Sequence, residues 1–565
     1  MNLLLCRLLL IATLIATSSA TAQAGNVQAE PAAGGDPRSA ARDLARRQLE
    51  LTRGEKTLIT RPDRQRPAHP ITLPLFGRPL TLGGRLTVLG RYDHSKLLDF
   101  DYTDLDNRDI DGDGDLTEIE DVARGKTPRD DQLRFNMGMQ ADLFYPITPQ
   151  LSFYAEMRAF YRSLVWADQT ATNDLWLIQR GELWLYAGRI LDTPLGLQVG
   201  RQRYFDEREW WWDENLDSLR IRFDWPTFHA QIGLAKELLP VLLDGNGIEP
   251  EDEDVVRILG VARWQWAKRQ ELGLYFLHAQ DGSSHQPLIV SRPHPTLPCV
   301  PDDELPANVP PDLREFLQSG CPPPVPLAGF EDDSDADLTW VGISSSGRIK
   351  ARGLGRFDYW LDVAGLWGRE RLTDYSGPRG QRVVGAVDRH TVGGFGIDVG
   401  ATWQLPLPLR PYLTAGFAYG SGNPGMTENS DTGFRQTGMQ DNNDRFRGVV
   451  SFRYYGELLS PELSNLQVVT LGLGTRFLSR SSIDFLYHRY RQPHAAPFLR
   501  DVDFKRDPTG LDGDIGEEWD LIVGIENFQP VEFKLVGAIF RTGRAFAPEQ
   551  GQLSYLASLR IRFNF

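Results

Sequence analysis

Cysteine is scarce: the 565 residues hold only Cys6, Cys299 and Cys321. Cys6 precedes the apolar run of residues 8–16, where a lipoprotein cysteine does not lie, which excludes a lipid anchor at that position. Downstream of that run no stretch of eighteen apolar residues occurs, which excludes helical membrane spans but not strands that cross a bilayer. The nine histidines include no HExxH pair, so a catalytic zinc site has no support. A phosphate loop ending in Gly125-Lys126-Thr127 lacks its first glycine, since Glu120 stands there, and nucleotide binding is discounted. Net positive charge is also missing. The chain carries −15, or −16 once residues 1–24 and their single charged side chain Arg7 are removed, which argues against a nucleic-acid partner.

What is present begins with an address. Arg7, the apolar run and the small-residue sites Ala20-Thr21-Ala22 and Ala22-Gln23-Ala24 read as a secretory signal over residues 1–24. The exported compartment permits a disulfide between Cys299 and Cys321, worth about 3 kcal/mol in the loop-entropy account. Residues 25–80 are rich in Pro, Ala and Arg, with one short helix expected over 39–51, and read as a partly disordered periplasmic extension.

From residue 81 to Phe565 the pattern is period two. In 219–223, Leu219, Ile221 and Phe223 face one way and Arg220 and Arg222 the other. Residues 133–145 and 153–161 repeat the alternation around a short turn at 146–150. Further candidate strands include 175–186, 228–235, 255–266, 271–278, 338–349, 359–367, 392–403, 411–419, 449–455, 466–477, 483–490, 519–525 and 533–541. The last strand sets Tyr555, Ala557, Leu559, Ile561, Phe563 and Phe565 against Arg560, Arg562 and Asn564. A soluble antiparallel sheet also alternates. The secretory signal, the repeated aromatic-flanked strands and the terminal phenylalanine favour an all-β, transmembrane antiparallel outer-membrane barrel of about 16 to 20 strands. Residues 97–130 and 281–335 are its long outer loops, the second rich in proline.

The first of those loops carries a calcium motif. Asp109, Asp111 and Asp113 occupy ligand positions one, three and five, Gly114 the sharp turn and Glu120 the bidentate twelfth position. Asp115 supplies a backbone carbonyl, and Thr117 acts directly or through water. Flanking helices are absent from the pattern, so a stapled loop that holds Ca2+ structurally is expected; its alternative is a solvated acidic loop. Between the strands at 197–204 and 219–223, the carboxylates Asp206, Glu207, Glu209, Asp213 and Glu214 have the chemistry for glycoside cleavage, but acidic loops are common. Trp210, Trp211 and Trp212 either stack on sugars or pack beneath a loop, and packing is the favoured reading.

Several segments resemble the alginate export family: GRQRYFDEREWWWDENLD at 200–217, GFRQTGMQDN at 433–442, GELLSPELSNLQ at 456–467, LYHRYRQ at 486–492 and FRTGRAFAP at 540–548. The resemblance implies about eighteen strands and a lumen that passes an acidic polysaccharide outward. It implies pore or substrate roles for Arg180, Arg203, Asp213 and Lys534, the last standing where the family has arginine. Phe144, Asn443 and Phe452 replace basic residues of the family, and the long plug before the penultimate strand is reduced to 527–531.

The expectation is a non-enzymatic channel in the bacterial outer membrane for an anionic, alginate-like polyuronate. Its partners are that polysaccharide, outer-membrane lipid and periplasmic secretion-complex proteins, without nucleic acid. The alternatives are a general or anion-selective porin for small solutes or oligosaccharides and, more remotely, a secreted β-rich hydrolase.

Overall fold

The computed structural model describes residues 71–94, 131–166, 175–243, 248, 254–282, 336–376, 383–423, 430–496, 498–500, 502, 508–547 and 549–565. The signal, the calcium motif from Asp109 to Glu120, and Cys299 and Cys321 lie outside the described residues.

Alternation decides the architecture. On β7 (Asp213–Trp225), Leu219 and Ile221 are about half exposed while Arg220 and Arg222 are buried at 0% and 1%. That is the reverse of a soluble sheet and requires apolar surroundings outside and a polar interior. The chain begins with β1 (Ile71–Leu75), β2 (Arg78–His94), β3 (Asp131–Pro146), β4 (Leu151–Trp166), β5 (Leu175–Gly188) and β6 (Leu195–Phe205). After β7 come β8 (Phe228–Ala235), β9 (Val255–Ala267), β10 (Gln270–Asp281), β11 (Asp337–Ala351), β12 (Gly355–Ser376), β13 (Val383–Gln404) and β14 (Tyr412–Gly420). Three two-residue strands follow, β15 (Ser430–Asp431), β16 (Asn443–Asp444) and β17 (Phe452–Arg453). The wall resumes with β18 (Leu466–Leu478), β19 (Ser481–Arg491), β20 (Asp514–Phe528), β21 (Val531–Thr542) and β22 (Leu553–Asn564).

The 20-stranded sheet includes β1 and β15; the other eighteen strands, β2 to β14 and β18 to β22, form a closed antiparallel barrel. Closure is direct: β22 pairs with β2 from Arg85↔Asn564 to His94↔Tyr555. Pairing at the amino end already begins at Ile71, where β1 runs beside residues 78–82 of β2. One expected wall strand is corrected. Residues 449–455 lie in no barrel strand, because Val449, Val450, Phe452, Tyr454 and Tyr455 are all buried and offer no face to lipid; β17 pairs only with β16.

Tight connections such as 146–151, 225–228, 267–270, 478–481 and 528–531 gather at one end with Phe565, whose backbone exchanges hydrogen bonds with Gly84 at 2.8 and 3.0 Å. Long connections leave from the other end. Two of them turn into the barrel, the β6–β7 tip at 206–212 and the segment 430–465, and pack on each other and on the inner wall.

The hairpin leaves the wall to do so. Pairing of β5 with β6 stops at Leu183↔Arg201 and that of β7 with β8 at Ser218↔Ala235, whereas β6 and β7 stay paired up to Phe205↔Asp213. The departure point is Gly200, at φ 119°, where a Cβ would stand 2.2 Å from the Leu183 carbonyl oxygen; only glycine suits that position. The vacated edge of β5 is taken by the connection after β8. Arg180 N–H donates to the Val241 carbonyl at 3.0 Å and Leu243 N–H to the Ile178 carbonyl at 2.8 Å.

Candidate functional site

The hairpin tip is built around two charged side chains. Asp206 accepts the backbone N–H groups of Arg208, Trp211 and Trp212 at 3.3, 3.0 and 3.1 Å, which folds the tip on itself. Burial pushes the Asp206 carboxyl above its usual range, against the pull of those N–H donors. Arg208 reaches outward from the same turn to Asp398 at 2.7 Å, Asp444 at 3.3 Å and Asp362 at 3.6 Å. Its guanidinium also lies over the rings of Trp360 and Tyr454, at 4.5 and 4.2 Å. Burial opposes the charge, but Asp398 and its neighbours outweigh it and hold Arg208 protonated. A single cation thus ties the hairpin to the walls at β12 and β13 and to the inward segment at β16.

The tryptophans pack rather than present faces to a passing sugar. Trp210, Trp211 and Trp212 are fully buried. Trp211 stacks on Tyr275 with centroids 4.7 Å apart, and Trp210 Nε1 donates to Tyr455 Oη at 3.0 Å.

Each residue drawn from the family resemblance has a charged partner. Arg180 meets Asp217 with two bonds of 2.6 and 2.7 Å, Glu237 at 3.0 Å and the Pro240 carbonyl at 2.7 Å. Arg201 joins the same cluster through Glu237. Arg203 and Asp213 meet each other, with Nη2 and Oδ2 2.7 Å apart. Lys534 on β21 donates to Glu457 of the inward segment at 2.7 Å. The structure therefore joins Arg203 to Asp213 and sets Arg180 and Lys534 in separate clusters, one where the hairpin leaves the wall and one near the tight-turn end.

A further basic group emerges only on closure of the barrel. The register places Lys534 beside Arg560, Glu532 beside Arg562, Arg85 beside Asn564 and Gln140, and Gln140 beside Arg158. Residues opposite one another in antiparallel strands share a face, and Gln140 and Asn564 are buried on the inner one. Lys534, Arg560, Arg562, Arg85 and Arg158 consequently form a basic stripe on the inner wall across β21, β22, β2 and β4. Arg158 pairs with Glu156 at 2.5 Å and Arg562 with Glu532 at 3.6 Å. Among the described residues Arg85 and Arg560 have no carboxylate within 4.0 Å. The alternation of Arg560 and Arg562 is legible in the last strand; that Arg85, some 475 positions earlier by subtraction, joins them is not.

The profile of a family described as alginate export matches residues 162–557, well over half of the chain. The chain belongs to the alginate export family. Among curated relatives, the alginate production protein AlgE of Pseudomonas aeruginosa is 26% identical over 353 residues, 60% of this chain and 62% of its own length. AlgE of Azotobacter vinelandii is 24% identical over 338 residues, 58% of this chain and 61% of its own. The match thus spans slightly under two thirds of these relatives. Among solved structures, OccD3 (OpdP) of P. aeruginosa aligns over 90% of this chain and 97% of its own, with a TM-score of 0.45 and 10% identity. This member of the alginate export family, a closed barrel with an apolar outer face, is a protein of the bacterial outer membrane.

Proposed function

We propose that the barrel is a passive conduit that carries an anionic polysaccharide, an alginate-like polyuronate, outward through its lumen. The observation that carries this reading is the basic stripe, in which Arg85 and Arg560 stand on the inner wall with no carboxylate within 4.0 Å among the described residues. Cations so placed on a narrow passage offset the dehydration of uronate groups. A guanidinium about 4 Å from a carboxylate gains about 1 kcal/mol in bulk water and about 4 kcal/mol at an effective dielectric near 20. Arg85 and Arg560 attract the chain; the acids interspersed at Glu156, Glu457 and Glu532 keep any one stop shallow enough to leave.

Membership of the alginate export family supports the polyuronate as the polymer, and the relatives' printed role in alginate production supports the same class. In this reading Lys534, Arg560 and Arg85 meet the polymer, while Arg180, Arg203 and Asp213 shape the passage by fixing the inward hairpin. Driving force comes from synthesis or from periplasmic secretion-complex proteins. Single-channel recording is the test: polyuronate on the tight-turn side blocks the current and a neutral glucan of equal length does not. Indifference to both polymers would leave a general porin instead.

A further inference from the structure

The inward segment is anchored to the wall by its backbone. Leu458 and Leu459 N–H donate to the two Glu518 carboxylate oxygens at 2.7 and 3.1 Å, Glu457 N–H to Asp520 at 3.4 Å, and Tyr490 Oη to the Tyr455 carbonyl at 2.7 Å. These bonds fix residues 455–459 without help from the Glu457 side chain. That side chain instead reaches Lys534 Nζ at 2.7 Å, and Lys534 stands in register beside Arg560 at the end of the basic stripe. Both partners are largely buried but retain about 12% side-chain exposure, so the contact is shielded without being sealed.

We propose that Glu457 is a built-in substitute for a uronate carboxylate: it occupies Lys534 at rest and yields that place to a carboxylate of the entering polymer. The inference rests on the polyuronate reading above and adds the residue that sets how tightly the chain is held. Its physical basis is exchange. A buried ammonium stripped of its partner is costly, so a vacant Lys534 seat would bind the first carboxylate too firmly to release it. When one carboxylate replaces another, the charge count at Lys534 is unchanged and only the difference between two similar contacts remains. The polymer then advances by displacing Glu457 and is released when Glu457 returns.

The test uses the full chain in planar bilayers. Glu457→Gln keeps the shape and removes the competing charge, and the polyuronate concentration for half-block is expected to fall about tenfold, with a neutral glucan still inert. In a Lys534→Gln background the same substitution is expected to change half-block less than twofold. Half-block within twofold of the parent for E457Q, or a full shift that persists with K534Q, would overturn the proposal. Glu457→Asp, one methylene shorter, is the second variant should E457Q fail to insert; it is expected to shift half-block at least threefold in the same direction, and no shift counts against the idea. A parent channel that polyuronate does not block defeats the conduit reading itself, an outcome distinct from a blocked parent with an unaltered E457Q.

Discussion

Both terminal nitrogens of Arg180 meet the Asp217 carboxylate, at 2.6 and 2.7 Å, across the gap where hairpin β6–β7 has left strand β5. The same guanidinium holds Glu237 and the Pro240 carbonyl, so one side chain joins the wall strand, the departing hairpin and the connection that replaces it. Arg180→Met would leave two carboxylates at this seam without their shared cation. The expected cost is about 3 kcal/mol, at the lower end for a broken buried pair because Arg201 still faces Glu237. A lowered midpoint of heat modifiability on electrophoresis checks it; an unchanged midpoint would count against a clasp.

Arg208 supports the interior in a similar way. Removing it leaves Asp362, Asp398 and Asp444 facing one another in the barrel core. Arg208→Met is expected to loosen the hairpin tip while the eighteen-stranded wall survives. Limited proteolysis should then cut near residues 206–212 at an unchanged far-ultraviolet dichroism spectrum; resistance equal to the parent argues against the anchor.

Arg85 and Arg560 of the stripe should separate binding from stability. Arg85→Gln and Arg560→Gln break no ion pair within 4.0 Å among the described residues, so heat modifiability is expected to stay within a degree or two of the parent. Each should weaken polyuronate block about fivefold, roughly 1 kcal/mol at the exposed end of the Coulomb range. The effect should shrink as ionic strength rises and the Debye length falls. Unaltered block in the double variant would remove the stripe from the path.

Acidification should release Glu457. Burial pushes its carboxyl up, but Lys534 beside it, with Arg453 and Arg560 nearby, outweighs burial and leaves the group below the ordinary glutamate value of 4.5. A depressed carboxyl contributes stability that is complete above the unfolded value and is lost as pH falls through the folded one. The Lys534–Glu457 contact is therefore expected to be constant from pH 7 to about 5 and to weaken below pH 4.5, while the backbone bonds that hold residues 455–459 stay in place. Glu518 and Asp520 face the same stretch from β20, so the E457Q channel is the necessary control. Current fluctuations recorded from pH 7 to 3 should show a step in the parent that E457Q lacks.

The calcium motif makes a separate prediction. Calorimetry of the full chain with calcium chloride should show one weak site, of about 0.1 to 1 mM, that Asp109→Ala abolishes. Equal heats from both proteins would dispose of it.

Why the sequence discloses some of this and not the rest has a physical cause. Leu219 and Ile221 against Arg220 and Arg222 announce a barrel because lipid and water act on single strands, residue by residue. Closure does not: Arg85 meets Asn564 only because eighteen strands complete a circle, and no local pattern records that distance. Residues 449–455 look like a wall strand because a segment packed inside a barrel is as apolar as one facing lipid. Trp210 to Trp212 are ambiguous in sequence for the same reason, since an aromatic that stacks on sugar and one that stacks on Tyr275 have one spelling. Family resemblance marks Arg180 and Lys534 as important without telling which acid each would hold.

The edge of β5 that hairpin β6–β7 abandons is sealed by residues that lie beyond β8 in the chain. The wall in this sector is therefore complete only with residues 241–243 in place, whatever the order in which the strands come together. Deleting residues 241–243 would strand the Arg180 N–H and the Ile178 carbonyl of β5 as unsatisfied peptide groups in a wall that has no other open edge among the described strands.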